Sequence, residues 1–408
     1  MDKRIQMWYR FENSCSVYMI LKAYKYRLYP SPPQRRLLEQ TLEICRRFYS
    51  TCLAERKTTY ETEKRSIGKV EQLRGVKQLK RSNPYATNVH SHILQVVVQD
   101  LDQAFKAFFR RVKAGETPGY PRFKGKNRFD SFGLKEYGNG FKLEGRRLKL
   151  SGIGRMRVRW HRPIEGKIKT LRIRRQAGKW YACFACEVNE QPFPSTGQEV
   201  GLDVGIYHLL ATSDNDAEEN PRWYRNAQAE LRVLQRRVSR RKLGGSNRRK
   251  AVLALQRQHA YISNHRIDFL NKIAYKIIVR YDRIALEDLQ ISGMVRNRHL
   301  SKSMLDAGWG TLKQCLVNKA AEAGRQVVFV NPAYTSKTCS SCGEAFPELS
   351  LSDRWIECPF CGLSLDRDVN AARNILRVGQ TLWSQSTDNG LRLLQEAPPF
   401  HRPGVPSG

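Results

Sequence analysis

The stretch YTSKTCSSCGEAFPELSLSDRWIECPFCGLSLDRDVNAARNI, residues 334–375, decides how the rest of the chain is read. Two Cys-x-x-Cys pairs stand in it, Cys339/Cys342 and Cys358/Cys361, with fifteen residues between them. Thiolate pairs at that spacing can face each other across one ion, so the segment reads as a zinc ribbon holding one Zn²⁺ through Cys339, Cys342, Cys358 and Cys361. A full set of thiolates leaves no open position for water, which makes the ion structural. Gly343 and Gly362 each follow a pair, where a residue without Cβ lets the backbone fold its amides back toward the sulfurs.

Just after the last cysteine, LDRDVNAARNI places Asp366 and Asp368 at the mouth of a short helix with Val369, Ala372 and Ile375 on its apolar face. The helix dipole and capping account for one carboxylate there. A second needs acids elsewhere in the chain that converge on it.

Composition bounds the partners. The 408 residues carry 72 Lys+Arg against 38 Asp+Glu, a formal net charge of +34, and the usual partner of so basic a surface is nucleic acid. A chain of this length holds two or three structural units. No run of eighteen apolar residues and no signal peptide are seen, so a membrane partner is not expected and the protein reads as intracellular, cytoplasmic and nucleoid-associated. Ten cysteines in such a chain point to metal, not disulfides.

Residues 1–18 show neither period 2 nor period 3.6 and read as a disordered extension. From Met19 to Tyr29 apolar residues alternate with basic ones, a half-buried strand with a cationic outer face. A helix follows from about Gln34 with Leu37, Leu38, Leu42, Cys45, Phe48, Cys52 and Leu53 in its stripe. Lys57–Lys80 reads as a polar connection. A second helix over Ser91–Lys113 has Leu94, Val97, Leu101, Phe105, Phe108, Phe109 and Val112 in its stripe, and the two helices are expected to pack together. His90-Ser91-His92 lacks the strand context of a paired-histidine metal site.

From Gly115 to about Val188 the chain is β-rich, and its polar positions are mostly Arg or Lys. Such a sheet can hold a phosphate backbone without reading sequence. Cys183 and Cys186 lie three apart on a strand, so they point to opposite faces and cannot chelate one ion.

Beyond a Pro/Gly linker, EVGLDVGIYHLLATSD sets Asp203 in an apolar strand, where a carboxylate is costly unless a partner or metal holds it. In outline this is the first strand of a ribonuclease-H-like sheet. Two basic helices follow, over Leu231–Lys250 and Leu253–Arg280. The strand YDRIALEDL then delivers Glu287 at its C-terminal end, with Asp288 facing the other way. Three acids thus stand in order: Asp203, Glu287 and one of Asp366 and Asp368. Converging carboxylates of this kind can hold two Mg²⁺ about 3.5–4 Å apart for phosphodiester hydrolysis. Asp, Glu, Asp is the order of RuvC-type nucleases, whereas ribonuclease-H-class transposases and integrases end on glutamate.

The motifs GLDVGI, ALEDL, DAGWG, SKTCSSCG, CPFCG and LDRDVNAARNI together resemble TnpB, the RNA-guided nuclease family of insertion sequences related to the type V CRISPR effectors. The resemblance runs from about Met19 to Leu376. It implies an α/β multidomain protein: a β-barrel-like wedge domain (19–30 and 116–195) carrying an inserted helical recognition domain (31–115), then a RuvC-like domain (196–336 and 364–378) interrupted by the zinc ribbon (337–363), and a disordered tail (379–408). It implies a guide RNA from the element's end, a double-stranded DNA target beside a short flanking motif, two catalytic Mg²⁺, and Asp203, Glu287 and Asp368 as catalytic and magnesium-binding acids, with Asp366 in a lesser role. RIDFLNK departs from the family pattern, with Asn271 where His is common. A nuclease-inactive RNA-guided binding protein and a DNA transposase are the rival classes; the full set of acids opposes the first and the acid order the second. Monomer and dimer are both left open.

Overall fold

The computed structural model describes residues 19–388 apart from 83, 127, 298, 299, 333, 334, 347, 348 and 350–352. The expected extension (1–18) and the last part of the expected tail (389–408) lie outside the described residues. The described residues divide into two compact units, one ending at Asn189 and one beginning at Glu190.

In the first unit, strand β1 (Met19–Tyr29) leads into helices α1 (Pro32–Glu63), α2 (Lys69–Ser82), α3 (Pro84–Thr87) and α4 (Ser91–Lys113). Seven strands follow: β2 (Ser131–Leu134), β3 (Glu136–Tyr137), β4 (Gly140–Glu144), β5 (Arg147–Leu150), β6 (Gly154–Arg159), β7 (Lys167–Gln176) and β8 (Lys179–Asn189). They form one sheet in the order β2-β7-β8-β1-β6-β5-β4-β3. Its edge strands β2 and β3 are separated by Lys135 alone, so the sheet curls until its two edges lie beside each other. Alternation does the rest. Tyr24, Tyr26 and Leu28 point inward opposite Phe184, Ala182 and Trp180, while Arg27 points outward opposite Tyr181 and Arg159.

Helix α1 starts from a capping box at Ser31 and Gln34. Leu38, Cys45 and Leu53 of α1 and Leu94, Val97 and Leu101 of α4 join the same core as Leu134, Ile173 and Phe184 of the sheet. The helical segment expected as a domain of its own (31–115) therefore shares one core with the strands. Three differences from the sequence reading stand out. The connection 57–80 is not a loop: α1 runs to Glu63 and α2 follows, with Val76 buried and Gln72 Nε2 donating to the Cys52 carbonyl at 2.7 Å. Leu73, Val76 and Leu79 form a stripe too diluted by Lys and Arg to stand out in the sequence. Leu37 of α1 is not core, being 39% exposed on the flank of the stripe that Leu38 leads, and neither is the end of α4, where Phe109 is 60% and Val112 50% exposed. Cys186 is buried and Cys183 lies on the other face of β8, as alternation requires.

The second unit begins with β9 (Glu199–Asp203), β10 (His208–Thr212) and β11 (Ala217–Glu219). Helices α5 (Trp223–Asn226), α6 (Gln228–Ser239) and α7 (Ser246–Arg280) lead to β12 (Arg283–Glu287). After α8 (Ile291–Met294), α9 (Ser301–Ala307) and α10 (Trp309–Ala323) come β13 (Gln326–Val330), β14 (Trp355–Glu357), β15 (Ser364–Asp366) and α11 (Arg367–Asp388). The five-stranded sheet has the order β11-β10-β9-β12-β13, with β10 antiparallel to β9 and β11, and β12 parallel to β9 and β13. The break between the basic helices falls at 240–245, at the Gly244-Gly245 pair, not at 250–253.

The sheet is covered on both faces, and strand periodicity sorts the residues. Val200, Leu202, Ile284 and Leu286 pack with residues of α7 and α10, whereas Ala285 and Val330 pack with Ile375 and Trp383 of α11. Trp383, together with the Gln380 side chain donating to Glu199 Oε2 at 2.9 Å, holds α11 as far as Asp388. Residues 379–388 are thus helical, against the expected disordered tail; the apolar stripe Val369, Ala372, Ile375, Trp383 keeps helical spacing past the point where the sequence reading stopped.

Candidate active site and metal centre

The period-2 rule that puts Ala285 against α11 also puts Glu287 on that face, and Asp203 likewise lies on the face of Gly201. β9 and β12 are parallel and in register, Leu202 opposite Leu286, so Asp203 and Glu287 sit side by side at the C-terminal ends of neighbouring strands. α11 comes close because Gly201 has no side chain: a Cβ there would lie 2.0 Å from the Ala372 carbonyl oxygen. That approach brings the first turn of α11, with Asp368, to the same strand ends. At Gly205 a Cβ would lie 2.7 Å from the His208 carbonyl oxygen, too close to fit, and 3.6 Å from Asp368 Oδ2, which places that carboxylate beside the turn between β9 and β10.

Electrostatics register the convergence. Burial pushes the Asp203 carboxyl well above the usual carboxylate range, and the charges of Glu287 and Asp368 push it further. Glu287 is raised by burial, against a hydrogen bond that its carboxylate accepts from the Thr335 hydroxyl. Asp368 is raised by burial and by Asp366, with Arg354, His208 and Arg367 pulling the other way. Asp368 Oδ2 is buried without a protein hydrogen-bond partner, and Arg354 Nη1 stands 3.7 Å from Oδ1.

The two candidate aspartates, Asp366 at the end of β15 and Asp368 in the first turn of α11, separate here. Asp366 Oδ1 accepts from the backbone N–H of Asp368 at 2.8 Å and of Val369 at 3.3 Å, the bonds of a helix cap. It is Asp368, not Asp366, whose charge bears on Asp203. Asp288 is directed elsewhere and pairs with Lys313 at 2.6 Å.

The four cysteines come together within 4.8 Å of one another. Cys339 and Cys361 have their sulfurs 3.6 Å apart, as do Cys342 and Cys358. Zn–S bonds of about 2.3 Å set a tetrahedral edge of roughly 3.8 Å, so the donor set fits zinc in spacing and in kind. The two knuckles repeat each other. Gly343 N–H donates to the Cys339 carbonyl at 3.0 Å and Gly362 N–H to that of Cys358 at 2.9 Å, with φ of +82° and +70° at the glycines.

Ribbon and acids are one construction. Strand β14 pairs with β15, Trp355 opposite Asp366, and β15 runs straight into α11. From α11, the Asn370 amide accepts from Ser340 N–H and donates to the Thr338 carbonyl, each at 2.8 Å. Asn374 donates to the carbonyls of Thr335 and Thr338, also at 2.8 Å. Thr335, so fixed, holds Glu287. Thr335, Asn370, Asn374, His208 and Arg354 were not singled out from the sequence; the two asparagines, four apart on an apolar helix face, were the available signal. Asp306 of DAGWG is structural: buried, it accepts from Arg266 at 2.9 Å and from the backbone N–H groups of Tyr224 and Arg225. Asn271, the departure in RIDFLNK, caps back to the Ile267 carbonyl at 2.8 Å within α7.

Comparison with known proteins agrees with this architecture. Family models match residues 183–298 (probable transposase), 309–375 (Cas12f1-like, TNB domain) and 19–65 (helix-turn-helix domain). In the last of these, the structure has one strand and one long helix. A Streptomyces pristinaespiralis protein named "Putative RNA-guided DNA endonuclease" is 33% identical over 93% of this chain and 94% of its own length. InsQ of Escherichia coli K12, with the same description, is 31% identical over 92% of this chain and 97% of its own. Cas12f1, in its solved complex with single guide RNA and target DNA, superposes with a TM-score of 0.58 at 12% identity, over 88% of this chain and 98% of that one, a likeness of fold.

Proposed function

This chain belongs to the TnpB family, and from that membership we propose that it is the RNA-guided DNA endonuclease of a transposable element, cutting double-stranded DNA beside a short flanking motif. The observation that carries the reading is the carboxylate cluster. In a chain of net charge +34, three acids are brought together, each raised by burial, with Glu287 and Asp368 raising Asp203 further and a buried oxygen of Asp368 without a protein hydrogen-bond partner. Oxygen-only donors of this kind suit a hard cation.

Asp203, Glu287 and Asp368 would hold Mg²⁺, two ions by the acid order. Magnesium bound there supplies Lewis-acid charge to the scissile phosphate and an activated water. Thr335 keeps the Glu287 carboxylate aimed, and the Asn374 amide keeps Thr335 in place. Arg354 offers a cation beside Asp368 where a phosphate oxygen would carry charge. The zinc of the ribbon is structural, and its fold sets the start of α11.

The strand order, with β9 central, antiparallel to β10 and parallel to β12, supports a ribonuclease-H-like, RuvC-type domain (196–336 and 364–378) interrupted by the ribbon (337–363). The curled sheet supports a wedge (19–30 and 116–195) with the helices (31–115) inserted. Its outer face suits a polyanion: Arg27 lies opposite Arg159 and Arg147 opposite Arg157, like-charge pairs that destabilise a sheet until an anion covers them. Guide RNA and an RNA–DNA hybrid would be held by backbone while pairing reads the sequence. Among the described residues no helix is long and apolar enough to cross a membrane.

The test is Mg²⁺-dependent cleavage of matched DNA by purified protein with its copurifying RNA. Cleavage should vanish when the RNA is removed or its guide segment mismatched. Equal cleavage without RNA overturns the reading; RNA-dependent binding without cleavage selects the nuclease-inactive alternative.

A further inference from the structure

The last turns of α4 and the segment after it carry an aromatic patch that the core does not use. Phe109 is 60%, Tyr120 45% and Phe123 56% exposed. Their geometry is built, not incidental. The Phe108 ring meets Tyr120 edge-on at 5.4 Å and Phe109 at 5.1 Å, and Phe105 meets Tyr120 edge-on at 5.5 Å. Phe105 anchors the group in the core with the Arg56 guanidinium 5.0 Å over its ring. Pro118 and Pro121 stiffen the segment that carries Tyr120.

We propose that this patch is a stacking platform for unpaired nucleobases, which takes a single-stranded stretch of nucleic acid by its base faces without reading the sugar. It rests on the nucleic-acid part of the function proposed above. Base–aromatic stacking needs exposed, rigid rings beside cations that follow the backbone. Between Lys106 and Lys126 the chain has seven Lys or Arg (106, 110, 111, 113, 122, 124 and 126) and one acid, Glu116. A second copy of the chain docked on this face would set cations against cations, whereas a phosphate backbone complements them. Unpaired bases fit because a duplex covers its ring faces, apart from those of its end pairs. Sugar-blindness follows from the chemistry offered: rings take base faces and cations take phosphates, both of which DNA and RNA share.

The test uses the full-length chain freed of RNA and short single strands, DNA or RNA, containing 2-aminopurine, whose fluorescence is quenched on stacking. At salt high enough to screen phosphate contacts, Phe109→Ala and Tyr120→Ala should each weaken binding about ten-fold and reduce the quench, equally for DNA and RNA, and Phe109→Trp should restore both. A strand of abasic sites should bind all variants alike. Because Phe109 is exposed, unchanged melting shows that the fold is intact. Unchanged binding and quench in the alanine variants, or equal loss with the abasic strand, overturns the proposal. So does a fall from dimer to monomer mass in Phe109→Asp, which would make the patch a self-interface. The assay needs neither guide nor cleavage, so failure of guided cleavage leaves it standing.

Discussion

Glu43, Glu144 and Glu165 of the first unit and Asp203, Glu287 and Asp368 of the second belong to one strongly basic chain, yet they are pushed in opposite directions. Glu43, held by Arg46 and Arg47, falls to about 2. Glu144, held by Lys142 and Arg155, also falls to about 2, and Glu165 is lowered by Tyr24 and Lys22. Asp203, Glu287 and Asp368 are all raised. The first group are single acids outnumbered by cations, each already satisfied. The second are acids buried among acids, and Arg354, 3.7 Å from Asp368 Oδ1, does not offset the burial that raises them. Excess charge makes the pairing of an acid ordinary; acids buried together with raised pKa are what mark a site.

The largest expected effect breaks that comparison at its centre. On the proposed function, Asp203→Ala, Glu287→Ala and Asp368→Ala should each lower guided DNA cleavage on the order of 10³-fold with binding retained or strengthened, since each would remove a carboxylate proposed to hold metal and negative charge that opposes phosphates. Asp366→Ala is the control: it removes a helix cap, about 1 kcal/mol, and should cost far less activity. Cleavage by Asp368→Ala with none by Asp366→Ala would reverse the assignment.

Next comes the ribbon that positions Asp368. Elemental analysis should find zinc in the parent protein and little in Cys358→Ser, which should also melt lower and cleave less, because structural zinc contributes about 10–16 kcal/mol of binding free energy in small zinc modules. Retained zinc with unchanged melting would separate ribbon from site.

A smaller effect concerns stability in the absence of divalent metal. A carboxyl whose folded pKa is raised binds its proton more tightly when folded, so its contribution to stability is present below the ordinary carboxylate range and is lost as pH rises through the raised value. Metal-free protein should therefore lose stability from this site as pH rises out of the acid range. Asp203→Asn should melt higher than the parent at pH 7, with the difference shrinking toward pH 4; thermal melts in chelator at the two pH values decide it.

The smallest is on the other side of the comparison. Glu43→Gln should cost less than ~1 kcal/mol, and less still in high salt, because the Glu43 pairs are partly exposed and screened. A denaturant titration at low and high salt measures it. A cost comparable to loss of the ribbon would mean that the satisfied acids also organise the fold.

What was legible in the sequence was local. The knuckles could be read because four thiolates and two glycines at fixed spacing leave few geometries, and β9 and β12 because a lone acid in an apolar run is conspicuous. α2 was missed because its stripe is thin and its other residues are basic, so average polarity hid its period. The end of α4 misled for the opposite reason: Phe108, Phe109 and Val112 continue a perfect stripe, but spacing says which residues share a face, not whether anything covers it.

The sequence by itself determined the metal type of the ribbon, the order of the acids and the strand ends that carry two of them, since these depend on spacing of a few residues along one element. Only the tertiary structure decided that Asp368 faces Asp203 while Asp366 caps the helix, because the two stand two residues apart and the choice turns on how α11 meets β9. That meeting is set by Gly201, 165 residues upstream of Asp366, whose missing Cβ lets the helix backbone reach the strand. Contacts between segments so far apart leave no period in the sequence, and the hydroxyl of Thr335 on Glu287 is another of them.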